Sequence, residues 1–199
     1  ARREQRLGAL ALNSEPLTNV EPEVWRQAML TGVRQMGLHS LSWTPELQDW
    51  RARVLSLRCW FPDEDWPDLS DAWLTEHLAE WLGPWLDGVT RREHLSRLDL
   101  AAALHGLLDH RQRTQLNELV PTHLSVPSGS RIRLRYLPGE SPVLAVKLQE
   151  LFGLADTPRI AGGRIPVILH LLSPAQRPIQ VTQDLRGFWE RTYADVKKE

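Results

Sequence analysis

The hydrophobic period of this 199-residue chain changes at Pro121, and that change restricts the folds open to it. Before Pro121 the apolar residues recur at three- and four-residue intervals, the spacing of one face of an α-helix. A first helix is expected over about 22–36, with Val24, Ala28, Val33 and Met36 on one side, Glu21 and Glu23 at its positive end and Gly37 as a stop. Thr44-Pro45 then supplies an N-cap and a proline at the first helical position. The stripe Leu47, Trp50, Val54, Leu57, Phe61 follows, up to Pro62. A third helix is expected from Ser70 through Trp73, Leu74, Leu78, Trp81 and Leu82, ended by Gly83-Pro84. Thr90 with Glu93 reads as a capping box, and residues 98–119 add one or two further helices.

After Pro121 the pattern shortens. HLSVP, SRIRLRY, PVLAVKL, RIPVILHLL and PIQV are strand candidates, separated by turns at Ser128-Gly129, Pro138-Gly139 and Gly162-Gly163, and a helix is expected from about 183 to 197. Residues 3–12 read as a strand or hairpin arm. The expected class is therefore α+β: an N-terminal helical bundle followed by a small, mostly antiparallel sheet with a C-terminal helix.

Charge is divided as sharply as period. Net charge is −1, yet residues 60–88 hold eight acids and no Lys or Arg, whereas residues 125–199 hold eleven Lys or Arg against seven acids. The C-terminal lobe can meet phosphates; the acidic segment would avoid them or face a basic partner, and solvated surface accounts equally for both. Eight of the nine Trp precede residue 90, and five of these, from Trp60 to Trp85, share the acidic segment. Phosphates beside a stacked base would be repelled there, so these rings are expected to pack in a core. Cys59 is the sole cysteine, so no internal disulfide is possible, which fits a reducing cytosol, and no apolar run suits a membrane span.

Motifs for catalysis are missing. No G-x-x-x-x-G-K-[ST] loop, acidic magnesium box, G-x-S-x-G elbow, H-E-x-x-H helix or paired-cysteine zinc spacing occurs, so the chain is expected neither to hydrolyse ATP nor to hold a metal. The sharper lead is SRIRLRY. Alternation sets Arg131, Arg133 and Arg135 on one strand face, about 7 Å apart, with Ile132, Leu134 and Tyr136 on the other. Three guanidinium groups so spaced can track a phosphate backbone; a solvated strand face has the same pattern. Arg159 and Arg164 flank Gly162-Gly163, where an unhindered backbone can approach an anion or simply make a tight turn.

The run SPVLAVKLQELFGLADTPRIAGGRIPVILHLLSPAQRPIQVTQDLRGFWERTY, residues 141–193, resembles the C-terminal region of HrpB-type, DEAH-box-like ATP-dependent RNA helicases. REQRLGALAL, SWTPELQDWRARVLSLR, HLAEWLGPWLDGV, LSRLDLAAALHGLL and LVPTHLSVPSGSRIRLRY resemble successive upstream segments of the same family, so the likeness covers the whole chain. It implies that residues 1–18 end a preceding OB-like domain, that 19–120 form a helical domain, and that 121–199 form an α+β domain. It also implies a fragment of a cytoplasmic bacterial protein: the chain begins at Ala1, without the motor that binds ATP and magnesium in the parent. The partners implied are the motor domains upstream in the same chain and single-stranded RNA or another nucleic acid, with a protein partner as a further candidate and no membrane. The expected contact residues are Arg131, Arg133, Arg135 and Arg164, with Gly162 and Gly163 in the adjoining loop and no catalytic residue. The competing class is a protein-interaction module that docks a partner or the motor.

Overall fold

The structure, a computed structural model, describes residues 2–7, 9–16 and 20–193. Strands β1 (Arg2–Leu7) and β2 (Leu10–Pro16) pair as an antiparallel hairpin, with a register shift between Gln5 and Arg6. Helices α1 (Pro22–Met36), α2 (Pro45–Trp60), α3 (Asp71–Glu76), α4 (Leu78–Trp81), α5 (Leu100–His105) and α6 (His110–Leu119) follow. Then come β3 (His123–Ser125), β4 (Arg131–Arg135), β5 (Val143–Lys147), β6 (Arg159–Ile160), β7 (Ile165–Pro166), β8 (Ile168–Leu172) and β9 (Pro178–Thr182). The last turns are α7 (Leu185–Gly187) and a wider π-turn over Phe188–Thr192. The expected continuation of this helix to residue 197 falls outside the described residues. The fold is the expected α+β arrangement of helices followed by a mostly antiparallel sheet and a C-terminal helix.

The chain divides into two compact units, residues 1–43 with 71–105, and residues 44–70 with 106–199. In the first, α1 spans the expected residues but turns Leu30 and Val33 into the core, while Val24 stays 56% exposed. Leu30 sits three residues before Val33 and seven before Gly37, on the side that α4 meets, whereas Val24 belongs to the unpacked first turn. The single helix expected from Ser70 to Leu82 is broken at His77. The indole of Trp81 donates to the Leu74 carbonyl at 2.8 Å, the acceptor that a continuous helix would offer to the Leu78 N–H. His77 meanwhile stacks on Trp73 at 4.3 Å between ring centroids. Thr90 is not a capping residue: Arg91, extended at φ −139°, precedes a short 3-10 turn over Arg92–Arg97, and the Thr90 N–H points to His94 Nδ1.

In the second unit the caps determine where helices begin. Thr44 Oγ1 accepts from the Leu47 N–H at 3.2 Å, and Pro45 occupies the first turn of α2. Asp109 opens α6 through a complete capping box with Gln112, at 2.7 and 2.9 Å. The five-stranded sheet runs β3-β4-β5-β8-β9; β5 and β8 are parallel and every other neighbouring pair is antiparallel. The small β6–β7 hairpin lies on the connection between the parallel strands, in keeping with the longer path such a pair requires. One sheet face is apolar, with Leu134, Leu144, Val146, Leu169 and Leu171 buried.

The end of α6 joins these parts. Arg53 of α2 is 4% exposed and donates through Nε to the Val120 carbonyl at 2.6 Å and through Nη2 to Asn117 Oδ1 at 2.7 Å, with Leu116 O at 3.4 Å. Burial lowers the Arg53 pKa, while nearby Tyr136 and Asp49 oppose that fall. The carbonyl dipoles at the negative end of α6 compensate the buried cation. Tyr136, just past β4, donates to the Pro121 carbonyl at 2.6 Å, and burial pushes its phenol pKa upward. The Ala161 N–H reaches the Leu119 carbonyl at 2.8 Å. Replacing Arg53 with Met strands those acceptors and should lower the unfolding free energy by about 3 kcal/mol. Tyr136→Phe should cost about 1 kcal/mol. Urea titration of both single variants and the double variant checks this, and the two losses should not add because both act on one helix end.

Candidate nucleic-acid interface

Strand β4 lays out its side chains as alternation requires. Arg131, Arg133 and Arg135 are exposed, Ile132 is half-buried, and Leu134 and the following Tyr136 are buried. On β3, Ser125 lies opposite Arg131 and His123 opposite Arg133; on β5, Val143 lies opposite Arg135. The same side of the sheet continues through Ala145 and Lys147 of β5 and His170 of β8, and none of these is buried. The five strands together carry Arg131, Arg133, Arg135 and Lys147, and no Asp or Glu. Positive potential on this face is therefore unopposed from within the sheet.

The three β4 arginines differ in their surroundings. Arg133 approaches Asp49 of α2 at 3.6 Å, with its own side chain 53% exposed. Hydrogen bonds from its own backbone and from Thr44 hold the Glu46 carboxyl below its ordinary pKa, with the Arg133 charge a smaller contributor. Among the described residues no ion pair involves Arg131 or Arg135. Their guanidinium groups meet an incoming anion without first giving up a carboxylate.

Arg164 is more committed. Its guanidinium carbon lies 3.7 Å above the Phe61 ring, Nη1 is 3.5 Å from Glu64, and Nε donates to the Ala161 carbonyl at 3.1 Å. Arg159 closes the same hairpin by donating to the carbonyls of Gly163 at 2.6 Å and Arg164 at 3.2 Å. Ala161, Gly162 and Gly163 all have positive φ, at 53°, 64° and 81°, so two of three consecutive left-handed positions are glycine. The space beside Gly162 and Gly163 is open to 4 Å. The structure thus sets Arg131, Arg133 and Arg135 on one surface, while Arg164 belongs to a separate cluster with Phe61 and Glu64. Among the described residues no three His, Cys, Asp or Glu side chains converge as metal ligands would.

Residues 81–199 match the family model described as ATP-dependent helicase C-terminal, HrpB_C. The chain belongs to this family. It is 44% identical over 197 residues to the ATP-dependent RNA helicase HrpB of Escherichia coli K12, covering 99% of this chain and 24% of that protein. The crystal structure of the E. coli DExH-box NTPase HrpB superposes with a TM-score of 0.85 at 44% identity, over 99% of this chain and 24% of that one. The crystal structure of the E. coli DEAH/RHA helicase HrpB gives 0.80 at 42% identity, over 100% and 25%. This chain therefore spans about a quarter of the length of the relatives it matches.

Sequence reasoning did not find the aromatic cluster at the end of the helicase-family domain. Phe188 is buried, Trp189 donates to the Leu154 carbonyl at 2.8 Å, and Tyr193 meets Trp189 edge-on at 5.2 Å. The π-turn, closed by the Tyr193 N–H on the Phe188 carbonyl, widens the helix where these rings emerge. Asp184 starts the turn by accepting from the Gly187 N–H at 2.8 Å and pairing with Arg191 at 2.7 Å. The Gly187 bond, and then Arg191, hold its carboxyl below the ordinary pKa. A depressed folded-state pKa means that the carboxylate stabilises the fold above the unfolded value near 4, and that this contribution disappears as pH falls through the folded value. Urea midpoints measured from pH 6 to pH 2 should fall more steeply below pH 4 for the native chain than for Asp184→Asn.

Proposed function

We propose that this chain is a non-motor accessory region of a bacterial ATP-dependent RNA helicase and that it contacts single-stranded RNA through the arginine face of β4. The observation that carries the reading is the exposure of Arg131, Arg133 and Arg135 on a sheet whose strands hold no acid. Guanidinium groups repeated about every 7 Å suit successive phosphates, and the contact would be largely independent of base sequence. Arg131 and Arg135 are the stronger members, because Arg133 shares its charge with Asp49. Arg164, with Gly162 and Gly163, is a secondary contact that would have to exchange Glu64 for phosphate. The names of the relatives, an ATP-dependent RNA helicase and a DExH-box NTPase, support a helicase parent whose motor domains lie elsewhere in the same polypeptide, and ATP with magnesium would act there rather than on this region.

A protein-docking role is the second reading. It rests on Trp85, 40% exposed within the acidic segment, as an anchor for a basic partner or for the motor.

Titration of the chain with a single-stranded RNA 12-mer at several salt concentrations separates the two. RNA contact predicts a Kd of about 1 μM or tighter at low salt, weakening steeply as salt rises. Converting Arg131, Arg133 and Arg135 to Glu should abolish binding; neutralising them to Gln should reduce the slope of log K against log salt by about 2. No binding at low salt would defeat the RNA reading, and retention by the Glu variant would show that the face is merely solvated.

A further inference from the structure

A groove of about 720 Å³ lies between the β8–β9 turn and the aromatic cluster at 188–193, lined by Leu148, Gln149, Phe152, Ser173, Arg177 and Tyr193 among others, with no acid among the described residues that line it. Resting on the RNA-contact reading above, we propose that it is a stacking pocket for a base of single-stranded RNA, with Phe152 as the platform and Arg177 as the cationic partner. The volume falls within the roughly 300–1,000 Å³ typical of small-ligand sites.

Phe152 is 48% exposed although it is a large apolar side chain. Its position is built rather than incidental. Leu148 and Leu151, in the 3-10 turn before it, are buried. The Leu154 N–H closes on the Leu151 carbonyl at 2.9 Å, with Phe152 at φ −59°, ψ 127° and Gly153 at φ 94°. This is a type II turn, which needs glycine at the third position and projects the residue before it outward. Trp189 and Tyr193 pack around the Phe152 ring at 6.0 and 6.1 Å, inclined by 47° and 73°. Neither stacks in parallel on it. Phe152 and Tyr193 also border a second, smaller hollow of about 310 Å³, so the Phe152 ring is approachable from two sides.

The opposite wall is equally fixed. Ser173 donates its N–H to the Arg177 carbonyl at 2.9 Å, accepts from the Gln176 N–H at 2.9 Å, and accepts through Oγ from the Arg177 N–H at 3.1 Å. Gln176 is held at φ 61° to complete this turn. Among the described residues the Arg177 guanidinium enters no ion pair. A flat aromatic surface, an uncommitted guanidinium and an amide at Gln149 provide stacking, phosphate attraction and a base-edge hydrogen bond. Those are the elements of single-strand recognition, and the described residues of the groove include no acid to repel a polyanion.

Fluorescence anisotropy of the full 199-residue chain with an oligoadenylate 12-mer and with an abasic 12-mer of equal charge tests the pocket. The base-bearing strand should bind about tenfold tighter. Phe152→Leu, which keeps apolar bulk without a flat ring, should bring that ratio close to one; Phe152→Trp should preserve it. Equal affinity for both strands in the native chain overturns the pocket and leaves the arginine face standing. No binding of either strand at low salt overturns both. A concentration-dependent dimer that Phe152→Leu dissolves would assign the groove to a second copy of the chain and likewise overturn the proposal.

Discussion

The guanidinium of Arg53 is the interaction on which the sheet-bearing unit depends. A buried cation in an apolar helix stripe would ordinarily cost several kcal/mol. Here its N–H groups meet the Val120 carbonyl, the Asn117 amide and, at longer range, the Leu116 carbonyl. A helix terminus leaves its last carbonyls without intrahelical donors, and their dipoles present negative charge. Each problem is therefore the solution to the other. Neighbouring carbonyls are claimed by separate parts of the chain: Leu119 by the Ala161 N–H, and Pro121 by the Tyr136 hydroxyl. A single helix end thus fixes α2, the β6–β7 hairpin and β4.

This arrangement also explains why the β4 arginines face outward. Tyr136 is anchored at Pro121, and Leu134, two residues before it, is buried beside Leu144 on the apolar face. A one-residue slip would expose Leu134 and Tyr136, each worth about 1.5–3 kcal/mol buried, and would drive three guanidinium groups into the core. The strand consequently has one tolerable register. Its charged face is a product of core packing before it is available for anything else, and function can draw on a surface whose position is already determined.

Much of this was readable from local chemistry. Thr44-Pro45 placed the start of α2, the alternation of SRIRLRY placed β4, and glycines marked the turns that require positive φ at 129, 139, 162 and 163. The apolar stripe of α2 concealed its most important member, however. Arg53 lies three residues after Trp50 and four before Leu57, within the stripe, and a charged residue at that position is the sequence signal that was available. What it would bond to depends on α6, more than sixty residues away. The break at His77 was equally hidden, because it comes from a side-chain indole displacing a backbone donor. The groove beside Phe152 required the convergence of residues 148–152, 173–179 and 193, which no local period encodes.

The polarised charge of the sequence takes a different meaning once these contacts are considered. Two of the four acids between Asp63 and Asp68 are engaged within their own unit. Glu64 holds the Trp66 indole at 3.0 Å and faces Arg164, while Gln112 fastens the loop by donating to the backbone carbonyl, not the carboxylate, of Asp65. Asp68 accepts from the Ser70 N–H at 2.8 Å and lies 3.7 Å from Arg58. Burial pushes the Asp68 carboxyl upward, but the Ser70 hydrogen bonds, with Arg58 and Arg51 behind them, hold it below its ordinary pKa. Trp66 itself is buried. The Glu64 and Asp68 carboxylates neutralise arginines and fasten a loop, so that part of the segment is not a free acidic docking strip. By contrast, Arg131, Arg135 and Arg177 lack ion-pair partners among the described residues. The charge left open in the basic half is therefore concentrated at these few arginines, and they are the positions at which a polyanion would be drawn in without displacing a carboxylate.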